Sequence, residues 1–281
     1  MPGKLKKNIS RIWSSLYLAA KNFSQIDGAQ RAGAFAFYAF FALFPLVVLL
    51  VTVASFFIDP GMAEKKVIAY VESYIPISDE MQRYIFDTVG GVIDARGGAG
   101  VIATLMLVWA ALQFFTTLLF AANRAWGTEM YNWWRLPLKS LLLLGIMIGV
   151  VFVGIAMPMF ARMAREWLFP IEEFHFTYVL WNFFIALFIG FLSLSLFYKL
   201  APRRLTRFSE VWAAALFSTV LLRTGESLFG VYLERFATLN AVYGAFGGIM
   251  ALLLWIYLSG GIIIFGACLC AAQAKTLKDQ P

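Results

Sequence analysis

Four residues of chemical interest share one face of an otherwise apolar stretch, WAAALFSTVLLRTGESLFGVYL. Thr219, Arg223, Glu226 and Gly230 are separated by four, three and four residues, which aligns them along one side of a helix. An ionisable side chain at bilayer depth costs about 2.5 kcal/mol or more on insertion scales, so these charges require compensation.

Two interpretations of this polar face stay open. Arg223 and Glu226 can neutralise each other and tie their helix into a bundle, which is a structural role. Alternatively, Arg223, Glu226 and Thr219 line a polar cavity together with Gln113 of an earlier apolar stretch, and Arg223 attracts an anionic headgroup there. We expect these four side chains to form the candidate ligand-binding set.

The composition identifies the class of protein that carries this face. Of the 281 residues, 61% are hydrophobic and only 14% are charged, whereas a soluble domain has about 25% charged residues. The apolar residues occur in blocks, each long enough to cross a hydrocarbon core of about 30 Å as a helix. The chain is therefore predicted to be an integral membrane protein.

Six apolar blocks predict six transmembrane helices within residues 31–272. They cover residues 32–58, 101–122, 140–160, 179–200, 211–231 and 241–272. The predicted fold is all-α and polytopic, with a cytoplasmic tail at residues 273–281 and a small external helical cap at about residues 59–100 between the first two spans.

Prolines and glycines inside the predicted spans suggest local features of the bundle. Pro45 and Pro158 are predicted to kink the first and third spans, because proline removes a backbone hydrogen bond. Gly244 and Gly248 form a small-xxx-small face that permits close helix packing. This face serves either the bundle itself or a homo-oligomer.

Residues 1–30 predict a basic amphipathic helix on the cytoplasmic side. Lys4, Lys7 and Arg11 fall largely between apolar residues that recur at helical spacing, Trp13 among them. Such a helix can lie on the membrane surface, with its cations near anionic lipid. It can equally pack against the cytoplasmic loops of its own chain.

Basic residues assign the orientation. Fifteen lysines and arginines lie on the side that holds both termini, and seven lie on the opposite side. The positive-inside rule therefore predicts a multi-pass protein of the cell inner (cytoplasmic) membrane with both termini in the cytoplasm. This asymmetry explains the net charge of +7 without nucleic acid as a partner, because the basic clusters are short loops between helices.

Catalytic and metal-binding patterns are not recognisable in the sequence. The only histidine, His175, stands beside Glu172 and Glu173 in a predicted external loop, which is typical of a solvated surface. Cys268 and Cys270 are two residues apart, a poor arrangement for a disulfide. We therefore expect no metal site, no cofactor and no enzymatic activity.

Several motifs, in this order, resemble the YihY/BrkB membrane family. They are RAGAFAFYAFFALFPLVVLL at the first span, LSLFYKLAPRR after the fourth, and VYGAFGGIMALLLWIYLSGGIIIFGA in the last. The similarity extends from Arg31 to Ala272. Many relatives carry glutamate directly after the final Gly-Ala, where this chain has Cys268, so any role of that acid is not available here.

The resemblance implies a cytoplasmic-membrane protein with six helices. Proteins similar to this one have been labelled ribonuclease BN, and others are linked to serum resistance or to export of lipopolysaccharide precursors. The residues do not support the nuclease label, because a hydrolytic metal site needs clustered ligands. We expect a transporter or exporter of a lipid or other anionic amphiphile, with anionic membrane lipids as partners. The alternative is a non-transporting scaffold of the envelope.

Overall fold

The computed structural model describes residues 2–54, 98–128, 132, 134–146, 149, 175–236 and 245–278. Its long helices, in chain order, are α1 Pro2–Gln25, α2 Gly28–Ala54, α3 Gly98–Ala125, α4 His175–Leu200, α5 Phe208–Phe236 and α6 Ala245–Lys278. Residues 135–146 are also helical, and the described part of the chain contains no strand. The predicted all-α class is therefore confirmed for these residues.

Some predicted features lie outside the described residues. They include the external cap over residues 59–97, Pro158 and Gly244. Pro45 and Gly248 lie within α2 and α6. The kinks and the small-xxx-small contact therefore stay predictions.

Two described stretches are long and apolar enough to cross a membrane. They are Leu105–Ala125 in α3 and Ile249–Thr276 in α6, with mean hydropathies of 1.9 and 2.2. A third apolar stretch, Leu187–Leu200 in α4, is shorter. The residues predicted to form the second, fourth and fifth spans, 101–122, 179–200 and 211–231, are all helical in the structure. The count of six spans stays a prediction.

We expect a topology experiment to support six spans. A reporter fused after Pro281 should behave as cytoplasmic, and one inserted near Ser78 should behave as external, because basic residues concentrate on the side of the termini. Paired alkaline phosphatase and green fluorescent protein fusions measure both positions. Both reporters on the same side of the membrane would exclude an odd number of spans between them and reject the six-span topology.

The chain divides into two compact units. Unit 1 comprises Met1–Arg31, Phe115–Glu226 and Gly261–Pro281, and unit 2 comprises Ala32–Phe114 and Ser227–Gly260. Helices α2, α3, α5 and α6 each contribute residues to both units. Each unit is built from segments that are distant in sequence.

Unit 1 has a core of small side chains at the C-terminal part of α6. Cys268 and Cys270 are fully buried and are not joined in a disulfide. Alanines surround them in the sequence, and most of these are also nearly inaccessible to solvent. Small residues let helices approach closely, so packing in this unit depends on shape as well as on apolar area.

Unit 2 is built around aromatic contacts. The rings of Phe35 and Phe114 lie 4.4 Å apart, and those of Phe229 and Trp255 lie 5.3 Å apart. Gly260 is buried against Phe35, and a Cβ added at this glycine would come within 3.0 Å of the Phe35 Cγ. Aromatic pairs at such distances add about 0.5–1.5 kcal/mol each beyond the area that they bury.

Helix α1 packs one face on its own chain and leaves another face exposed. Ala19 is fully buried, and the Asn22 amide donates a hydrogen bond to the Ala125 carbonyl oxygen at 2.8 Å. Trp13 and Tyr17, four residues apart, are 74% and 68% exposed. The helix therefore packs within unit 1 and leaves Trp13 and Tyr17 exposed, and its binding to a membrane surface stays a prediction. The side chains of Lys4, Lys7 and Arg11 lie outside the described set.

Two helix ends bring polar groups to the same end of unit 1. Helix α3 ends in a Schellman turn: Gly127 has a φ of 61°, and the Thr128 amide donates to the Asn123 carbonyl at 3.0 Å. Helix α5 begins with a cap in which the Arg207 amide donates to Glu210 Oε2 at 2.9 Å. These ends carry the side chains described next.

Candidate functional site

The polar face of α5 contains an ion pair. Arg223 Nη1 donates to Glu226 Oε2 at 2.8 Å, and the two side chains are 40% and 56% exposed. Thr219 is instead buried, and its hydroxyl donates to the Ala215 carbonyl at 2.8 Å. The structure thus joins Arg223 to Glu226 and turns Thr219 toward the packed interior of unit 1.

Gln113 is half-buried on α3. It belongs to unit 2, whereas Thr219, Arg223 and Glu226 belong to unit 1. A cavity lined by all four side chains therefore remains a prediction of the sequence.

A buried hydroxyl pair joins α4, α5 and α6 within unit 1. The Tyr198 hydroxyl lies 3.0 Å from both Ser218 Oγ and the Ile263 carbonyl oxygen, and Tyr198 is only 1% exposed. A carbonyl can only accept, so the single phenol proton goes to Ile263 and the serine donates to the phenol oxygen. Sequence reasoning missed this cluster, although Tyr198 stands inside the LSLFYKLAPRR motif.

Asn123 is a second buried connection that the sequence analysis missed. Its side chain is fully buried, and its Nδ2 donates to the Leu119 carbonyl at 2.8 Å and to the Ala201 carbonyl at 3.4 Å. Its Oδ1 accepts from the Arg203 amide at 2.8 Å and from the Thr128 hydroxyl at 2.9 Å. The sequence does contain a signal for this residue, because Asn123 stands at the end of an apolar helix, four residues before a glycine.

Asn123 therefore holds the loop after α4 against the end of α3. The same loop carries Arg204, which binds Glu210 with two contacts at 2.8 and 3.1 Å. The Arg204 guanidinium carbon also lies 4.2 Å from the centre of the Trp126 ring. Arg204 thus has a structural role, whereas its neighbour Arg203 lies on the wall of a cleft.

This basic cleft has a volume of about 590 Å³ and lies within unit 1. Its lining consists of three basic, one amide and three apolar residues: Arg135, Lys139, Arg203, Asn132, Trp134, Leu138 and Leu142. The Arg135 guanidinium carbon lies 4.7 Å from the centre of the Trp134 ring. Burial lowers the pKa of the Lys139 ammonium, because partial loss of water disfavours the charged form.

The described residues include no candidate metal site. No group of three or more His, Cys, Asp or Glu side chains there could hold a metal ion. The cleft that the described side chains form places three cations beside apolar surface.

Comparison with known proteins assigns the family. The sequence profile of the family described as virulence factor BrkB matches residues 19–281. The ribonuclease-like protein YfkH of Bacillus subtilis is 24% identical over 265 residues, which cover 90% of this chain and 94% of that protein. No solved structure matches the chain significantly.

Membrane proteins from other bacteria are also similar. The UPF0761 membrane protein IL2447 of Idiomarina loihiensis is 29% identical over 57% of this chain and 54% of its own length. A UPF0761 membrane protein of Xanthomonas oryzae is 26% identical over 68% of this chain and 43% of its own length. The chain thus spans about half the length of these UPF0761 relatives.

The family match covers most of the chain, the relatives include proteins named as membrane proteins, and long apolar helices are present. All three findings agree with the resemblance seen in the motifs. The chain is therefore a membrane protein of the BrkB family.

Proposed function

We propose that this protein is a transporter or exporter of a lipid or other anionic amphiphile in the cell inner membrane. The observation that carries the proposal is the exposure of Arg223 and Glu226 on α5. Their side chains are 40% and 56% exposed, within a helix segment that is otherwise mostly apolar.

The energetics favour a functional role for the pair. A charge at the centre of a transmembrane helix costs about 2.5–3.5 kcal/mol on insertion scales. A pair that served only to tie helices together would be expected to lie in the packed interior, where Thr219 lies. A pair that lines a polar path along α5 would stay exposed. Arg223 would then be able to bind an anionic headgroup in place of Glu226.

A scaffold function is the second candidate, and the exposed aromatic face of α1 favours it. Trp13 and Tyr17 could dock another protein as well as a membrane. In that case the bundle would position α1 without moving any substrate. We infer a non-enzymatic role in either case.

Reconstitution into liposomes tests the transport proposal. Flux of fluorescent phosphatidylglycerol between leaflets is measured for wild type, Arg223→Leu, Glu226→Leu and the double variant. We expect the double variant to insert and to retain its thermal stability, because both charges are removed together. We expect its lipid flux to fall at least tenfold, because the headgroup loses its cationic partner on α5.

Thr224→Leu is the matched control, since Thr224 is exposed on the same helix and carries no charge. Its flux should remain at the wild-type level. A stable double variant with wild-type flux would refute a transport role for the pair and leave it as a structural contact.

A further inference from the structure

The basic cleft combines three cations with apolar surface in one concave site. Arg135, Lys139 and Arg203 contribute positive charge, and none of the seven lining residues carries a carboxylate. Such a site attracts anions, and arginine pairs with phosphate through two parallel hydrogen bonds.

The helical residues 135–146 bring charged and apolar side chains to the same face. Arg135, Leu138, Lys139 and Leu142 have the spacing of one helix face, and all four line the cleft. The cations occupy the first turns of this helix, where the macrodipole also favours an anion. Leu142 lies further along, within the predicted third span.

Arg203 completes the cleft from another part of the chain. Its backbone amide donates to Asn123 Oδ1 at 2.8 Å, and Asn123 is fully buried. The loop that carries Arg203 is therefore held at a defined position. A fixed backbone at Arg203 reduces the conformational entropy that is lost when its side chain binds a ligand.

We propose that this cleft binds the phosphate-bearing headgroup of an anionic phospholipid, with Arg135, Lys139 and Arg203 around the phosphate and the acyl chains along Leu138 and Leu142. The apolar wall is what distinguishes a lipid from free phosphate as the ligand. The site concerns binding alone, so it stands or falls independently of transport through α5.

Native mass spectrometry of the full chain in micelles tests this site with dioleoylphosphatidylglycerol as the probe. The cleft variant is Arg135→Gln/Lys139→Gln/Arg203→Gln. We expect its affinity to fall on the order of 100-fold, because each cation near an anionic headgroup contributes roughly fivefold. The matched control is Lys21→Gln/Lys199→Gln/Lys275→Gln, which removes the same charge at exposed positions outside the cleft and should bind as wild type does.

Two further measurements identify the class of ligand, and a single variant controls for misfolding. Dioleoylphosphatidylcholine should be retained weakly and equally by all three proteins, and inorganic phosphate should not displace phosphatidylglycerol. Displacement by inorganic phosphate would reject the lipid, and equal affinity of the cleft and control variants would reject the site. If the cleft variant does not fold, Lys139→Gln alone should show a loss of roughly fivefold, and an unchanged affinity would overturn the proposal.

Discussion

Replacing Gly266 with alanine is expected to lower the free energy of unfolding by about 3 kcal/mol or more, or to prevent folding. A Cβ at this position of α6 would overlap the Tyr198 hydroxyl and Ser218 Oγ, and it would lie 2.7 Å from the Tyr198 ring carbon Cζ. Relief of this overlap requires the buried Tyr198 ring and the Ser218 hydroxyl to shift, and this shift breaks the buried hydrogen bonds that join three helices.

Thermal unfolding in detergent micelles measures this effect. Gly33→Ala is the matched control, because a Cβ there meets no described atom within 4 Å and alanine favours a helix. Adding Tyr198→Phe to Gly266→Ala should recover part of the lost stability by removing one overlapping oxygen. A Gly266→Ala protein as stable as wild type would show that the three helices are not closely joined at this point.

Replacing Asn123 with leucine is the second change for which we expect a large effect. Leucine has a similar volume but cannot replace the bonds to the Ala201 carbonyl and the Arg203 amide. Each buried group left unpaired costs about 1–3 kcal/mol, and at least two groups lose their partner. The loop after α4 should loosen, and Arg203 should leave its place on the wall of the basic cleft.

Thermal stability and retained phosphatidylglycerol should therefore both fall in Asn123→Leu. Asn22→Leu provides the comparison, because the Asn22 side chain makes one described hydrogen bond, to the Ala125 carbonyl. Asn22→Leu should lower the free energy of unfolding by roughly 1 kcal/mol and leave lipid retention unchanged. Equal losses for the two variants would contradict the central position of Asn123.

Helix positions and protein class followed from sequence alone. Apolar blocks longer than the hydrocarbon thickness predicted helices at residues 101–122, 179–200 and 211–231, and all of these residues are helical. The spacing of Arg223 and Glu226 predicted that they share a helix face, and they form an ion pair three residues apart. These properties are local, since they depend on the composition and periodicity of a single helix.

Contacts between helices needed the tertiary structure. Tyr198 meets the Ile263 carbonyl across 65 positions, and Asn123 meets the Arg203 amide across 80. Periodicity identifies the buried face of a helix, but it carries no information about which other helix covers that face. Apolar surface packs without directional preference, so several arrangements would bury these faces equally well. The basic cleft therefore became visible only when folding brought Arg203 beside the helix that carries Arg135 and Lys139.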